Sequence, residues 1–129
     1  MRRQGVKVHF HPLESIDHWQ RLLSMQKIRF IFKQSPVCPI SYSAERRVDK
    51  WLESLPAEID LVYATVDVIG HRQVSQAIAK DLNIKHESPQ AICMDKDGNV
   101  LWTGSHHQIQ INALKALELK SDQNNTKEY

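Results

Sequence analysis

The stretch from Phe30 to Ser41, FIFKQSPVCPIS, constrains the fold more than any other part of the chain. Ile28, Phe30, Ile31 and Phe32 form an apolar run suited to a strand covered on both faces, and Pro36 stops its ladder because proline has no N–H to donate. The chain must turn there. Pro39 then stands where a helix tolerates proline, in its first turn, and Ala44, Val48, Trp51, Leu52 and Leu55 repeat behind it at helical spacing. Cys38 is thereby placed at the N-terminus of a helix.

That position has chemical content. Unpaired N–H groups and the positive end of the helix dipole favour a thiolate over a thiol, and the thiolate is the form that attacks disulfides. The fourth position of the motif is Ser41 rather than a second cysteine. A mixed disulfide formed on Cys38 therefore has no resolving thiol within the motif, and a separate thiol must finish the cycle. A Cys-Pro pair before a helix is also compatible with a purely structural cysteine, so the remainder of the chain has to decide.

A chain of 129 residues, 41% hydrophobic, suits one compact domain with a real core and leaves no room for a second. We expect that domain to span 1–119, with 120–129, too poor in apolar residues to pack, as a mobile tail. The net charge of +2 and the scatter of Lys and Arg among Asp and Glu argue against nucleic acid or an anionic membrane as a partner. The N-terminal segment lacks the apolar stretch of a signal peptide, and no apolar run is long enough to span a bilayer, so a cytoplasmic protein is expected. Two cysteines far apart in sequence do not make a secreted disulfide framework.

Along the chain, Val6 and Val8 suggest a short edge strand, and Pro12 to Met25 reads as a helix with Ser15 as N-cap. Lys27 to Lys33 is the first firm strand, and Leu61 to Val68, rich in β-branched residues, is the second. Val74, Ala77, Ile78 and Leu82 predict a helix that Asn83 closes in a left-handed conformation. Strands joined through a helix call for a parallel pair with a right-handed crossover. Pro89 to Met94 and Val100 to Thr103, joined by the polar turn Asp95 to Asn99, read as a β-hairpin, and Ile109 to Leu119 as a last helix. The sum is an α/β, thioredoxin-like arrangement with a central four-stranded mixed sheet and helices on both faces.

The chain resembles the monothiol bacilliredoxins of the YtxJ type, small thioredoxin-fold proteins of the bacillithiol system. The resemblance rests on Cys38-Pro39-Ile40-Ser41, similar to the CPIS site of that family, and on Lys85 to Gln90, similar to its KHESPQ segment. Asp67-Val68, Arg72, Val74-Ser75, Trp102 and Ser105-His106 match as well, so it extends from Pro12 to about Leu117. It implies that Pro89 is the cis-proline opposite the cysteine and that the backbone of Ser88 docks the substrate. It further implies bacillithiolated proteins and a low-molecular-weight thiol as partners, bacillithiol as thiol co-substrate, and no bound cofactor. Val37 stands where the family usually has threonine, and so supplies no hydroxyl beside the cysteine.

Other residues divide between two readings each. The Ser41 hydroxyl can donate to the Cys38 sulfur, or serve only as a polar residue of the first turn. Lys33, His86 and Glu87 are candidates for the rim of the site: Lys33 as a cation favouring the thiolate or as a solvated strand-end lysine, the other two as rim or plain polar loop. Cys93, between Ile92 and Met94, reads as a buried inert thiol, and the seven histidines give no metal-ligand spacing with Cys38. Trp19 and Trp51 fall on apolar helix faces. The expected activity is thiol–disulfide exchange that removes bacillithiol from proteins. The alternatives are a glutaredoxin-like reductase using glutathione and a non-enzymatic iron–sulfur cluster module; against the latter, Pro39 stiffens the turn and removes an N–H beside the cysteine.

Overall fold

A computed structural model of the chain describes residues 7–117 and 119. In chain order the elements are β1 (Lys7–Phe10), α1 (Ile16–Ser24), β2 (Ile28–Gln34), α2 (Pro39–Glu53), β3 (Asp60–Asp67), α3 (Arg72–Leu82), β4 (Gln90–Met94), β5 (Val100–Ser105), a 3-10 turn (His106–Gln108) and α4 (Ile111–Lys115). The strands form one sheet in the order β1-β3-β2-β4-β5. β1 and β2 run parallel to β3, β4 runs antiparallel to β2, and β5 returns antiparallel to β4. The sheet thus has five strands where four were expected. The fifth is the edge segment, which adds to β3 from Lys7 opposite Asp60 to Phe10 opposite Tyr63. So short a segment carries little signal of its own; a partner about fifty residues away supplies its ladder.

Because successive side chains on a strand point to opposite faces, β2 serves two cores at once. Ile28, Phe30 and Phe32 pack with Ala44, Val48, Trp51 and Leu52 of α2 and with Leu114 of α4. Ile31 packs on the other side with Trp19 and Leu22 of α1 and with Val74 and Ile78 of α3. Each such side chain removed from water contributes about 1.5–3 kcal/mol, which is why the central strand rather than any helix organises the fold. Trp19 and Trp51 both lie in these cores, as their helix positions predict.

Local chemistry sets the element ends. α1 begins at Ile16, later than the expected start at Pro12, because the Ser15 hydroxyl accepts the His18 N–H at 3.1 Å. The residues before it run beside β3, where the N–H groups of His11 and Leu13 bond the carbonyls of Tyr63 and Thr65 at 2.9 and 2.8 Å. α3 ends as predicted on Asn83 in the left-handed conformation, φ 56° and ψ 47°. In the hairpin, an Asp95 carboxylate oxygen accepts the N–H groups of Asp97 and Asn99, both at 2.9 Å, and Gly98 takes a positive φ of 94°.

The single last helix expected from Ile109 is broken. Ile109 is buried and non-helical, φ −85° and ψ 84°, and its carbonyl accepts the Arg47 guanidinium at 2.6 Å, so only Ile111–Lys115 continues as helix. Helical spacing of apolar residues could not reveal that one of them serves as an anchor. The tail expected at 120–129 lies outside the described residues.

Candidate active site

Register alone gathers the candidate residues. Gln34 pairs with Asp67 at the ends of β2 and β3, while Gln90 at the start of β4 pairs with both Lys33 and Ser105. The segments after β2, β3 and β5 and before β4 therefore emerge at one end of the sheet. These carry Cys38, Arg72, His106 and Ser88-Pro89 respectively.

Cys38 is the N-cap of α2, in extended conformation with φ −106° and ψ 119°, and it is partly exposed. Its N–H bonds the Ser35 carbonyl at 3.2 Å, its own carbonyl accepts the Tyr42 N–H at 3.2 Å, and Pro39 occupies the first helical turn. Among the described residues no side chain caps the helix, so its first N–H groups are left without a side-chain acceptor next to Cys38 in the chain. Ser41 is buried, and its oxygen accepts the Ser35 N–H at 3.0 Å. This bond ties the loop to the helix, and the Ser41 hydroxyl proton remains available to donate. Val37 at 78%, Tyr42 at 62% and Ile40 at 40% exposure make the ground around the sulfur apolar and accessible.

Across the sheet end, the Ser88–Pro89 peptide bond is cis. The Pro89 carbonyl accepts the His106 N–H at 2.9 Å, and Glu87 lies 3.7 Å from the His106 ring nitrogen. The Ser88 hydroxyl oxygen is buried without a hydrogen-bond partner among the described residues.

Lys33 does not belong to a rim. It is fully buried, because β2 is covered on both faces and only Gln34 reaches the opening. Its Nζ lies 3.1 Å from Nδ1 of His86, which is also 3.1 Å from the Ser75 hydroxyl oxygen. Burial pushes the Lys33 ammonium down to about 8, and no carboxylate pairs with it among the described residues. His86 is held below its ordinary value by burial first, then by Lys33 and Arg72, with Glu87 opposing. An ammonium has only donors, so Nδ1 accepts and the ring proton sits on Nε2. His86 is exposed and Glu87 half-buried.

Cys93 is buried in β4 opposite Phe30, about 10 Å down the strand from Gln90, and burial followed by the Asp95 charge raises its thiol to about 12. Such a thiol neither attacks nor resolves a disulfide at neutral pH. His9 bonds Asp60 at 2.8 Å and His11 faces the His18 carbonyl at 3.3 Å; among the described residues no three His, Cys, Asp or Glu side chains cluster to hold a metal. No helix among them is long and apolar enough to cross a membrane. Arg72 and Ser75 gained no role from the sequence. Their signal was topological, since a parallel crossover must start α3 at the same end of the sheet as Cys38.

The chain matches the family model for monothiol bacilliredoxin BrxC over residues 11–114. Among solved structures it is similar to a proposed oxidoreductase with a thioredoxin fold, at 34% identity and TM-score 0.71, over 89% of this chain and 96% of that one. It is also similar to a thioredoxin from Malassezia sympodialis, at 18% identity and TM-score 0.62, over 84% and 85% of the two chains. A thioredoxin from Trypanosoma brucei brucei aligns at 15% identity and TM-score 0.61, over 84% and 88%. The last two comparisons speak for the fold alone.

Proposed function

The chain belongs to the monothiol bacilliredoxin family, and on that premise we propose that it removes bacillithiol from protein mixed disulfides through Cys38. The observation that carries this reading is the contrast between its two thiols: Cys38 accessible at a helix N-terminus, Cys93 sealed in the core. One nucleophile without a resolving partner dictates monothiol chemistry.

In the first step the Cys38 thiolate attacks the bacillithiol sulfur of the mixed disulfide. A bond forms between Cys38 and that sulfur, the bond to the substrate protein breaks, and the protein leaves as a thiolate that takes a proton from water. A second thiol, free bacillithiol or a dithiol reductase, then attacks the bacillithiol sulfur and releases Cys38. The helix N-terminus assists at both stages, because it stabilises Cys38 as nucleophile and again as leaving group. Ser88 offers backbone to the incoming chain beside Pro89, and the exposed Val37, Ile40 and Tyr42 give an apolar surface against which a protein substrate rests. The setting for this reading is the cytoplasm.

A reporter protein carrying bacillithiol on a single cysteine tests the reading. Wild type with free bacillithiol is expected to regenerate the reporter thiol, and Cys38→Ala is expected not to. Release by Cys38→Ala at the wild-type rate would overturn it, and faster turnover of a glutathionylated reporter would assign glutathione instead.

A further inference from the structure

A pocket of about 510 Å³ opens between the end of β3 and the first turns of α3, lined by Val68, Ile69, Arg72, Ser75, Gln76 and His86. It adjoins the cysteine loop, because the Val68 N–H bonds the Gln34 carbonyl at 2.9 Å, four residues before Cys38. Basic groups gather at it, with the Glu87 charge opposing them at His86. Arg72 is exposed and makes no ion pair among the described residues, and Lys33 is buried behind His86 with no counter-charge. The carboxylates that flank the pocket in sequence are engaged elsewhere: Asp67 accepts the N–H groups of Ile69 and Gly70 at 2.9 and 3.0 Å, and Glu87 faces His106. Nε2 of His86 carries the ring proton and makes no hydrogen bond to a described residue.

A buried cation without an anion is costly, and the cost falls when an anion arrives. We propose that this pocket seats the carboxylate end of the small thiol that exchanges at Cys38, with Arg72 and the Nε2–H of His86 as direct donors and Lys33 as the counter-charge behind them. Lys33 acts through His86: its ammonium donates to Nδ1, beside the Ser75 hydroxyl oxygen at 3.1 Å, which fixes the tautomer and leaves Nε2 as a donor. Bacillithiol carries a malyl dicarboxylate and glutathione a carboxylate at each end, so the shared chemistry is a carboxylate tethered to a thiol. This inference rests on the small-thiol exchange proposed above.

The test measures the rate at which Cys38 forms mixed disulfides with bacillithiol disulfide, glutathione disulfide and the neutral 2-hydroxyethyl disulfide. Arg72→Gln is expected to lower the rate for a carboxylate-bearing disulfide relative to the neutral one by about tenfold or more, the loss of one charge-assisted hydrogen bond, and Arg72→Lys to restore part of it. A relative loss with bacillithiol alone assigns the malyl group, and one with glutathione alone assigns the peptide. An unchanged ratio for both overturns the proposal. In parallel, Cys38→Ala labelled with nitrogen-15 is titrated with malate and glutaric acid. Saturable amide shifts at Arg72, Ser75 and His86 that Arg72→Gln removes support the seat, and their absence overturns it. This arm needs no exchange at Cys38, so the seat and the exchange reading fail separately: no mixed disulfide with any of the three reagents sinks the exchange reading only.

Discussion

Arg29 and Lys33 stand on the same face of β2 and both are buried, yet their charges are treated in opposite ways. At the lower end of the strand the Arg29 guanidinium donates to the carbonyls of Leu22 and Leu23, both at 2.9 Å, and of Asp95 at 2.8 Å. It thereby ties the C-terminus of α1 to the hairpin turn. Burial lowers its pKa and the Asp95 charge works against that. At the upper end Lys33 has one neutral ring nitrogen and no carboxylate. The first cation bridges three backbone carbonyls; the second has one neutral partner, at the end of the sheet from which Cys38, Arg72 and Pro89 emerge. The Arg29 guanidinium thus meets three carbonyls through its terminal nitrogens, although its Nε is buried without a partner among the described residues, while Lys33 meets one neutral nitrogen.

The largest effect expected from this contrast is at Arg29. Arg29→Met keeps the bulk but removes the guanidinium from three carbonyls, of which those of Leu22 and Asp95 retain the N–H groups of Met25 and Gly98, at a cost of about 2–4 kcal/mol in urea unfolding. A loss under about 1 kcal/mol would mean that water replaces the guanidinium, and the two ends would then not differ.

Lys33→Met should act in the reverse direction, stabilising the protein at pH 7 by about 1–3 kcal/mol while slowing exchange with carboxylate disulfides. The same contrast appears in the pH dependence. Folded Lys33 titrates near 8 against an ordinary 10.5, so between those values the unfolded state holds more protons and stability rises with pH. The penalty is fully present below pH 8 and is relieved by 10.5, a gain of at most about 3 kcal/mol. Unfolding free energies of wild type and Lys33→Met across this window should converge as pH rises. Parallel curves would show that Lys33 is compensated after all.

The smallest effect is at Ser41. Ser41→Ala removes the acceptor for the Ser35 N–H and should cost about 1 kcal/mol in thermal or urea unfolding. If the loop tie is its whole role, the rate of mixed-disulfide formation on Cys38 changes less than about threefold. A much larger loss would give the hydroxyl a direct part at the sulfur.

The sequence carried the central strand, the helix start at Cys38, the Asn83 stop and the hairpin turn, because each depends on residues adjacent in the chain. What it missed depends on distant partners. The edge strand needs β3 to complete its ladder, and the break before α4 needs Arg47 to hold the Ile109 carbonyl. The burial of Lys33 was within reach: a strand covered on both faces leaves its last inward lysine no path to water. Its partner was not, since His86 approaches from a loop 53 residues away. Arg72 and Ser75 looked like ordinary helix residues until the crossover set them beside that pair.

The central claim is that Cys38 alone carries the exchange, and whole-protein mass after brief exposure to bacillithiol disulfide tests it most directly. Wild type and Cys93→Ala should each gain one bacillithiol, and Cys38→Ala none. An adduct that persists in Cys38→Ala, or a loss of two hydrogens from wild type through a Cys38–Cys93 disulfide, would contradict the monothiol account.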